Sequence, residues 1–412
     1  MLNSPLEFLA EQMGNVVKYD QNGNPSIFVP FPKMNSKDLD SSLPDRTHPA
    51  FIVNGQTVDR ILIGKYMASE LTPGGTLYSL PNMPPIHSLG ADQLDQRIRM
   101  FPGACSMTIA MHGLILLLAK KNGWTPKGNT YLSVDHRDGT PWDTAQNYTL
   151  GTKRVLYGWE YECITAHTSA AELKPDIAPK YWKRKKFIGG VTVPGQRGSE
   201  KGRGWLTLTG TGPASWNLDG TIASINDPIG NTMENMPGFR VFDGELQIFE
   251  NNNAAHPDAD NTASSGAWKA ILPSSVNNSH TLVAPGTAGT LKWNKNGTGN
   301  AAPQLDTQIA TRCAGDEYMT ALFKDLTANA ARVPYVPAIL QELGIFPIAS
   351  DTASDTTEGR VYYRNNEGTE YLPRRGGNCW NSSYSGLGYV YAHGARGYAS
   401  VGFGARPAFV EL

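Results

Sequence analysis

Little in this chain suggests a reaction centre. Its 412 residues hold four cysteines, at 105, 163, 313 and 379, with no CxxC spacing, which excludes a zinc-type pairing. They read as small buried thiols, although spacing leaves bridges open. The eight histidines show no HxxxH or HExxH pattern, so no metalloenzyme helix is expected. Charge of one sign is also missing. With 36 basic and 37 acidic side chains, the chain has no general attraction to nucleic acid or to an anionic membrane. Long apolar runs are absent as well: "CSMTIAMHGLILLLAKK" falls short of the roughly 20 residues that span a bilayer and contains His112. It reads as a buried core helix. "MLNSPLEFLAEQMG" lacks the basic start and apolar run of a secretory signal. The expectation is a soluble protein with no membrane insertion, no nucleic acid and no cofactor.

One absence is local. Residues 376–409, "GGNCWNSSYSGLGYVYAHGARGYASVGFGARPAF", contain no Lys, Glu, Gln or Met. From Gly376 to Gly404 the only charged side chain is Arg396, while Trp380, Tyr384, Tyr389, Tyr391, Tyr398 and Phe403 are present.

Elsewhere the chain has 43 Gly and 28 Pro, which points to many turns and a large β or irregular fraction. Residues 1–50, rich in Pro and Asn, read as an arm packed on a neighbouring subunit. "AFIVNGQTVDRILIGKYMAS" alternates around Asn54-Gly55 as a β-hairpin does. "FPGACSMTIAMHGLILLLAKKNGW" has helical length, with lysines in its last turn and Gly123 beyond them. "TKRVLYGWEYECITAH" reads as a second helix. Residues 186–250 turn β-like. Residues 251–305, rich in Asn, Ala, Ser, Thr and Gly, read as an insertion or long loop too poor in apolar mass for a core of its own. Residues 306–346 return to a helical pattern broken by Pro334 and Pro337, and the last 60 residues read as short strands. The fold class is α+β.

Four patterns fall in a familiar order: "ILIGKYMAS" (61–69), "GWEYEC" (158–163), "NDPIGNTMEN" (226–235), and "RRGGNCWN" with "GARPAF" (374–381, 404–409). Together they resemble the formylglycine-generating-enzyme branch of the C-type lectin fold, with "GWEYEC" matching a helix there. The tail more closely resembles the variable proteins of diversity-generating retroelements. Gly376-Gly377-Asn378, Trp380-Asn381, Ser385-Gly386-Leu387, Ala395-Arg396 and Gly404 to Ala408 occupy that family's fixed positions. Cys379 is extra, and one position is missing before Ser385. In that family adenine-directed mutagenesis turns Asn codons into Tyr, Ser, Gly, His and others, but never into Lys, Glu, Gln, Met or Trp.

The resemblance implies a C-type-lectin-like domain over 51–412, with core 51–250 and 306–412, an N-terminal extension (1–50), the insertion 251–305 and a variable region 376–409. It implies a ligand-binding set of Asn381, Ser382, Tyr384, Tyr389, Tyr391, His393, Gly394, Tyr398, Ser400 and Gly402, with Trp380, Arg396 and Arg406 as scaffold. Period two agrees. Tyr389, Tyr391 and His393 alternate with Val390 and Ala392, and Tyr398, Ser400 and Gly402 with Ala399 and Val401, placing the first members of each set toward ligand. Tyr, Ser, Gly and Asn suit recognition, since Tyr offers a large amphipathic face with two torsions to freeze.

The expected protein is a receptor-binding protein of a phage tail tip, a homotrimer contacting other tail proteins and binding a protein or glycan on a host cell. The alternatives are a variable protein displayed on a bacterial surface and, further off, a formylglycine-generating-type oxidoreductase. The latter needs two cysteines near the C-terminus, where only Cys379 lies. No Glu-Pro-Asn or Gln-Pro-Asp triplet supports lectin-type calcium, and "HPDADN" (256–261) lacks the Gly and distal Glu of an EF-hand. "VDHRDGTPWD" (134–143) reads as a turn rather than an acid–base site, and "YWKRKKF" (181–187) as a solvated basic face.

Overall fold

Arg60–Gly64 (RILIG) is buried along all but its first residue and is hydrogen-bonded on both flanks. Pro25–Pro32 pairs with it antiparallel on one side and Pro407–Val410 on the other, so the two ends of the chain share one strand. Val16–Tyr19 and Ala104–Ser106 complete this five-stranded terminal sheet. The computed structural model describes residues 4–197, 205–348 and 359–412. Two further large sheets are present: a six-stranded one built on Arg360–Tyr363, Gly386–Ala392 and Arg374–Gly376, and an eight-stranded one built on Glu245–Ile248, Lys292–Asn296 and Ala302–Asp306. The fold is α+β, mostly sheet with few helices.

The sheets share the helix Ile109–Lys121. Thr108 caps it by accepting the Met111 N–H at 3.3 Å, and Lys120 and Lys121 meet its negative C-terminal end. Ten of its 13 residues are buried, so it is apolar all round, as a helix enclosed by other elements must be. One continuous core joins it to Ile61 and Ile63, Trp293 and Leu305, and Val361 and Val390, from the three sheets in turn. Within the helix the burial of His112 holds the imidazole well below its usual range. The ring is neutral, and its Nε2–H donates to the Leu387 carbonyl at 2.7 Å. A smaller cluster, with Trp142, Tyr148, Tyr161 and Trp182, forms the core of residues 142–182.

Four expectations are corrected. Residues 1–50, read as an arm packed on a neighbouring subunit, are bound into this chain's own terminal sheet along Pro25–Pro32, where Phe28 is fully buried. "TKRVLYGWEYECITAH" is a hairpin, Lys153–Leu156 with Trp159–Cys163. Tyr157 and Gly158 both have positive φ, 49° and 80°, a two-residue turn that a helix cannot contain, and the Val, Trp and Tyr around it suit strands. "GWEYEC" is therefore a strand, not the helix its resemblance implied. Residues 251–305 are no loop. They supply Lys269–Pro273, His280–Val283, Lys292–Asn296 and Ala302–Asp306 to the eight-stranded sheet and bury Ile271, Leu291, Trp293 and Leu305 completely. Few apolar residues sufficed because each faces a core built by the rest of the chain. Residues 306–346 hold the strand Met319–Leu322 and only one α-helix, the short Ala338–Glu342 after Pro337. The hairpin at Asn54-Gly55 is present but brief, Ile52–Val53 with Gln56–Thr57. The long helix begins at Ile109 rather than near 101. The β reading of 186–250 and of the last 60 residues extends onto 198–204 and 353–358, outside the described residues.

Arg406 ties the architecture together. It is fully buried, and its guanidinium donates to the carbonyls of Gly64 at 3.0 Å, Lys65 at 3.1 Å, Asn226 at 3.0 Å and Asp227 at 3.2 Å. It also donates to the Glu234 carboxylate, with a closest approach of 2.6 Å. Asp227 lies beside it. Burial pushes the Asp227 carboxyl up to about 6, against the pull of the Gly210 N–H and of Arg406.

Removing the guanidinium would strand Glu234 in the core. Arg406→Met is expected to cost about 3–5 kcal/mol, read from urea unfolding. Because the folded-state pKa of Asp227 is raised, its contribution declines as pH rises from about 4 to about 6 and is flat beyond. Asp227→Asn should remove up to about 3 kcal/mol of that decline, seen by comparing the unfolding free energies of the two proteins across the window.

Candidate functional site

Gly386–Ala392 (GLGYVYA) lies inside the six-stranded sheet, parallel to Arg360–Tyr363 and antiparallel to Arg374–Gly376. Strand side chains alternate between faces. Val390 and Ala392 enter the main core with Val361 and Tyr363, while Tyr389 and Tyr391 share the opposite face with Tyr362, Met233 and Phe403. This second face floors a cavity of ≈610 Å³, whose walls include Tyr131, Tyr318, Trp380, Asn381, His393, Tyr398 and Ser400. The rings touch in sequence: Tyr391 to His393 at 4.0 Å, His393 to Tyr318 at 5.2 Å, Tyr391 to Phe403 at 5.3 Å, and Phe403 to Tyr398 at 5.2 Å.

The cavity is electrically quiet. Burial, with Arg364 and Arg374 nearby, pulls His393 down to about 3, so its ring is neutral at physiological pH, and its Nδ1 has no hydrogen-bond partner among the described residues. Burial pushes Tyr362 up to about 12 and Tyr389 further, so both keep their phenolic protons. Such a lining offers flat apolar faces edged with neutral donors and acceptors. No group of three His, Cys, Asp or Glu that could hold a metal exists among the described residues.

Seven of the anticipated residues meet in this cavity: Trp380, Asn381, Tyr389, Tyr391, His393, Tyr398 and Ser400. Their exposure differs from expectation. Tyr398 is 42% exposed, and Tyr391, His393 and Ser400 are partly so, but Tyr389 is only 1% exposed. Tyr389 is floor rather than contact surface, because Tyr362 and Met233 close over it. Tyr384, 46% exposed, lies instead against a smaller cavity of ≈280 Å³ with His136 and Arg137. Ser382 sits outside both, its N–H donating to the Thr130 carbonyl at 3.0 Å. Gly394 and Gly402 are buried and line neither cavity. A Cβ at 394 would stand 2.8 Å from the Tyr391 ring and 2.9 Å from that of Tyr398, and one at 402 would stand 2.4 Å from Trp380. Ala399, expected in the core, is exposed, whereas Val401 packs by Cys379.

The supports are arginines. Arg396 holds Glu370 through two hydrogen bonds, at 2.7 and 2.8 Å, and reaches Asp92 at 2.7 Å and the Asn261 carbonyl at 2.9 Å. The segment 251–305 thus anchors the loop 393–400. Sequence reasoning missed Arg374. Buried and still charged, it donates to the carbonyls of Ala395 (3.3 Å) and Tyr398 (3.0 Å) and lies 4.2 Å from the centre of the Phe403 ring. The doubled arginine before Gly376-Gly377 was the available signal. Tyr131, Tyr318 and Tyr362 also escaped notice, since they come from three distant segments. Only Tyr362, in "RVYY", carried a hint through its period-two spacing.

The stretch 134–143 reads as a turn. Asp135 is buried and held by Arg137 at 2.7 and 2.8 Å. The basic stretch forms Trp182–Phe187, exposed beyond its first residue and at the edge of its sheet, where lysines discourage further pairing. Among the described residues no helix is long and apolar enough to cross a membrane. No family model matches the chain, and no curated protein matches it either.

Floor and wall should respond oppositely to truncation. Tyr389→Ala is expected to cost about 3–5 kcal/mol, whereas Tyr398→Ala should change stability by less than about 1 kcal/mol. Thermal and urea unfolding of both variants check this. Proton NMR of His393 should show a neutral ring from pH 8 down to about pH 4. An inflection near 6.5 would mean that the ring is solvated.

Proposed function

We propose that the protein is a ligand-binding variable protein, with the cavity floored by Gly386–Ala392 as its recognition surface. In this reading the frame is of the C-type-lectin-like type, and the segment 376–409 is one sample of a diversified set. The observation that carries it is the division of labour along one strand. Val390 and Ala392 serve the core, while Tyr391, with His393 beyond the strand, faces a cavity that also receives Tyr398, Ser400 and Asn381. Every one of those five residues is reachable from an Asn codon by adenine change.

Further support comes from the frame. "IGKY", "NDPIGN" and "GARPAF", which carried the resemblance, meet at one guanidinium, Arg406, and the chain's two ends pair in one sheet. The setting proposed is a homotrimeric receptor-binding protein of a phage tail tip, associated with other tail proteins and binding a host-surface protein or glycan. The oxidoreductase alternative is disfavoured by Cys379, whose thiol is wholly buried beside Val193 and Leu206 and pushed well above its usual range. A copper ligand and thiol nucleophile needs the thiolate and an approach to it. Display on a bacterial surface uses the same site and differs only in the anchor.

A display library randomised at positions 381, 391, 393, 398 and 400 tests the reading. Most members should stay folded and protease-resistant, and selection should yield binders to unrelated targets. Widespread unfolding would sink it. In the genome, a near-copy of the 3′ end differing only at adenines should lie beside a reverse-transcriptase gene.

A further inference from the structure

Tyr131 belongs to two cavities. On one side it walls the variable site. On the other it opens a second cavity of ≈650 Å³ lined by Trp142, Tyr148, Tyr157, Trp205, Arg154 and Lys174, among others. None of these residues belongs to the variable segment.

The second cavity is built firmly. Tyr157, on the hairpin turn, stands edge-on to Trp205, with ring centres 5.1 Å apart and planes at 90°. Tyr148 is buried, and its hydroxyl accepts the Asp143 N–H at 2.9 Å and donates to the Asp143 carbonyl at 3.0 Å. Arg154 lies over the Tyr148 ring at 4.9 Å and is held by the Lys153 carbonyl at 2.6 Å. Two features are unspent. Trp142 is only 8% exposed, yet its Nε1–H has no acceptor among the described residues. Arg154 and Lys174, both half-buried, stand in no ion pair among the described residues, and among the described lining residues Asp143 is the only acid.

We propose that this cavity is a fixed subsite for an acidic glycan, a sugar bearing a carboxylate. Aromatic walls suit the C–H face of a pyranose. Arg154 and Lys174 suit its carboxylate, for which a guanidinium offers paired donors. Trp142 supplies a donor for a sugar oxygen, and Asp143 and Gln146 supply acceptors for hydroxyls. A nucleic-acid strand would ask for a longer basic track than two cations set against one carboxylate. The assignment stands on the second cavity alone and does not need its neighbour to be variable.

Calorimetric titration of the full chain with trigalacturonate and 3′-sialyllactose tests it, with trigalacturonate methyl ester and lactose as uncharged counterparts. At least one acidic sugar should bind, about tenfold or more tighter than its neutral partner. Arg154→Gln and, separately, Lys174→Gln should weaken it by about tenfold at an unchanged melting temperature. Tyr398→Ala should leave it unaltered. The proposal is overturned by no binding of either acidic sugar, equal affinity for the neutral ones, indifference to both cation variants, or tighter binding of an oligothymidylate. Loss of binding in Tyr398→Ala alone would place the sugar in the first cavity, which refutes this subsite while leaving the recognition surface of the other intact.

Discussion

A guanidinium sealed in a protein interior is costly unless its donors are engaged, and at Arg406 they are. A guanidinium carries five N–H groups in a rigid fork. Here they are shared among four backbone carbonyls and one carboxylate from two segments far apart in sequence, 64–65 and 226–234. Desolvation makes each of those partners obligatory, because any one left unmade strands charge in a low-dielectric core. The position of Phe403–Gly404, and with it the floor of the aromatic cavity, follows. Phe403 pairs with Met233, and Glu234, the next residue, holds the arginine.

Around that fixed point the walls of the cavity are held by their backbone rather than by one another. Arg374 grips two carbonyls of the loop 393–400 from beneath, and Arg396 fastens the same loop to Glu370 and Asp92. Neither contact uses a side chain of Tyr398, Ser400 or His393. The side chains can therefore change while the loop keeps its path, with one exception. Gly394 has room for no Cβ while Tyr391 and Tyr398 stand where they do, so these three positions are coupled.

What was legible in the sequence follows from how local each signal is. The terminal lysines and Gly123 marked the end of the long helix through contacts within a turn or two of each residue, whereas its start at Thr108 was not read. The alternation in "YVYAH" located the cavity face because the strand period is a local property. The burial of Tyr389 was not legible, since its cover, Tyr362 and Met233, arrives from 27 and 156 residues away. "YGWEYEC" reads as helix or strand by periodicity alone, and the left-handed pair Tyr157-Gly158 decided it. The Asn- and Gly-rich stretch 251–305 misled for a different reason. Composition measures whether a segment can build a core of its own, whereas these strands lend Trp293 and Leu305 to a core built largely by others.

The cysteines have a consequence of another kind. All four are unbridged and lie within hydrophobic clusters or strands. No covalent crosslink contributes to this framework, so its stability is indifferent to the reducing or oxidising character of its surroundings. Burial also keeps the thiols in their unreactive, protonated form. Such a framework is compatible with a reducing medium, where structural disulfides would not persist.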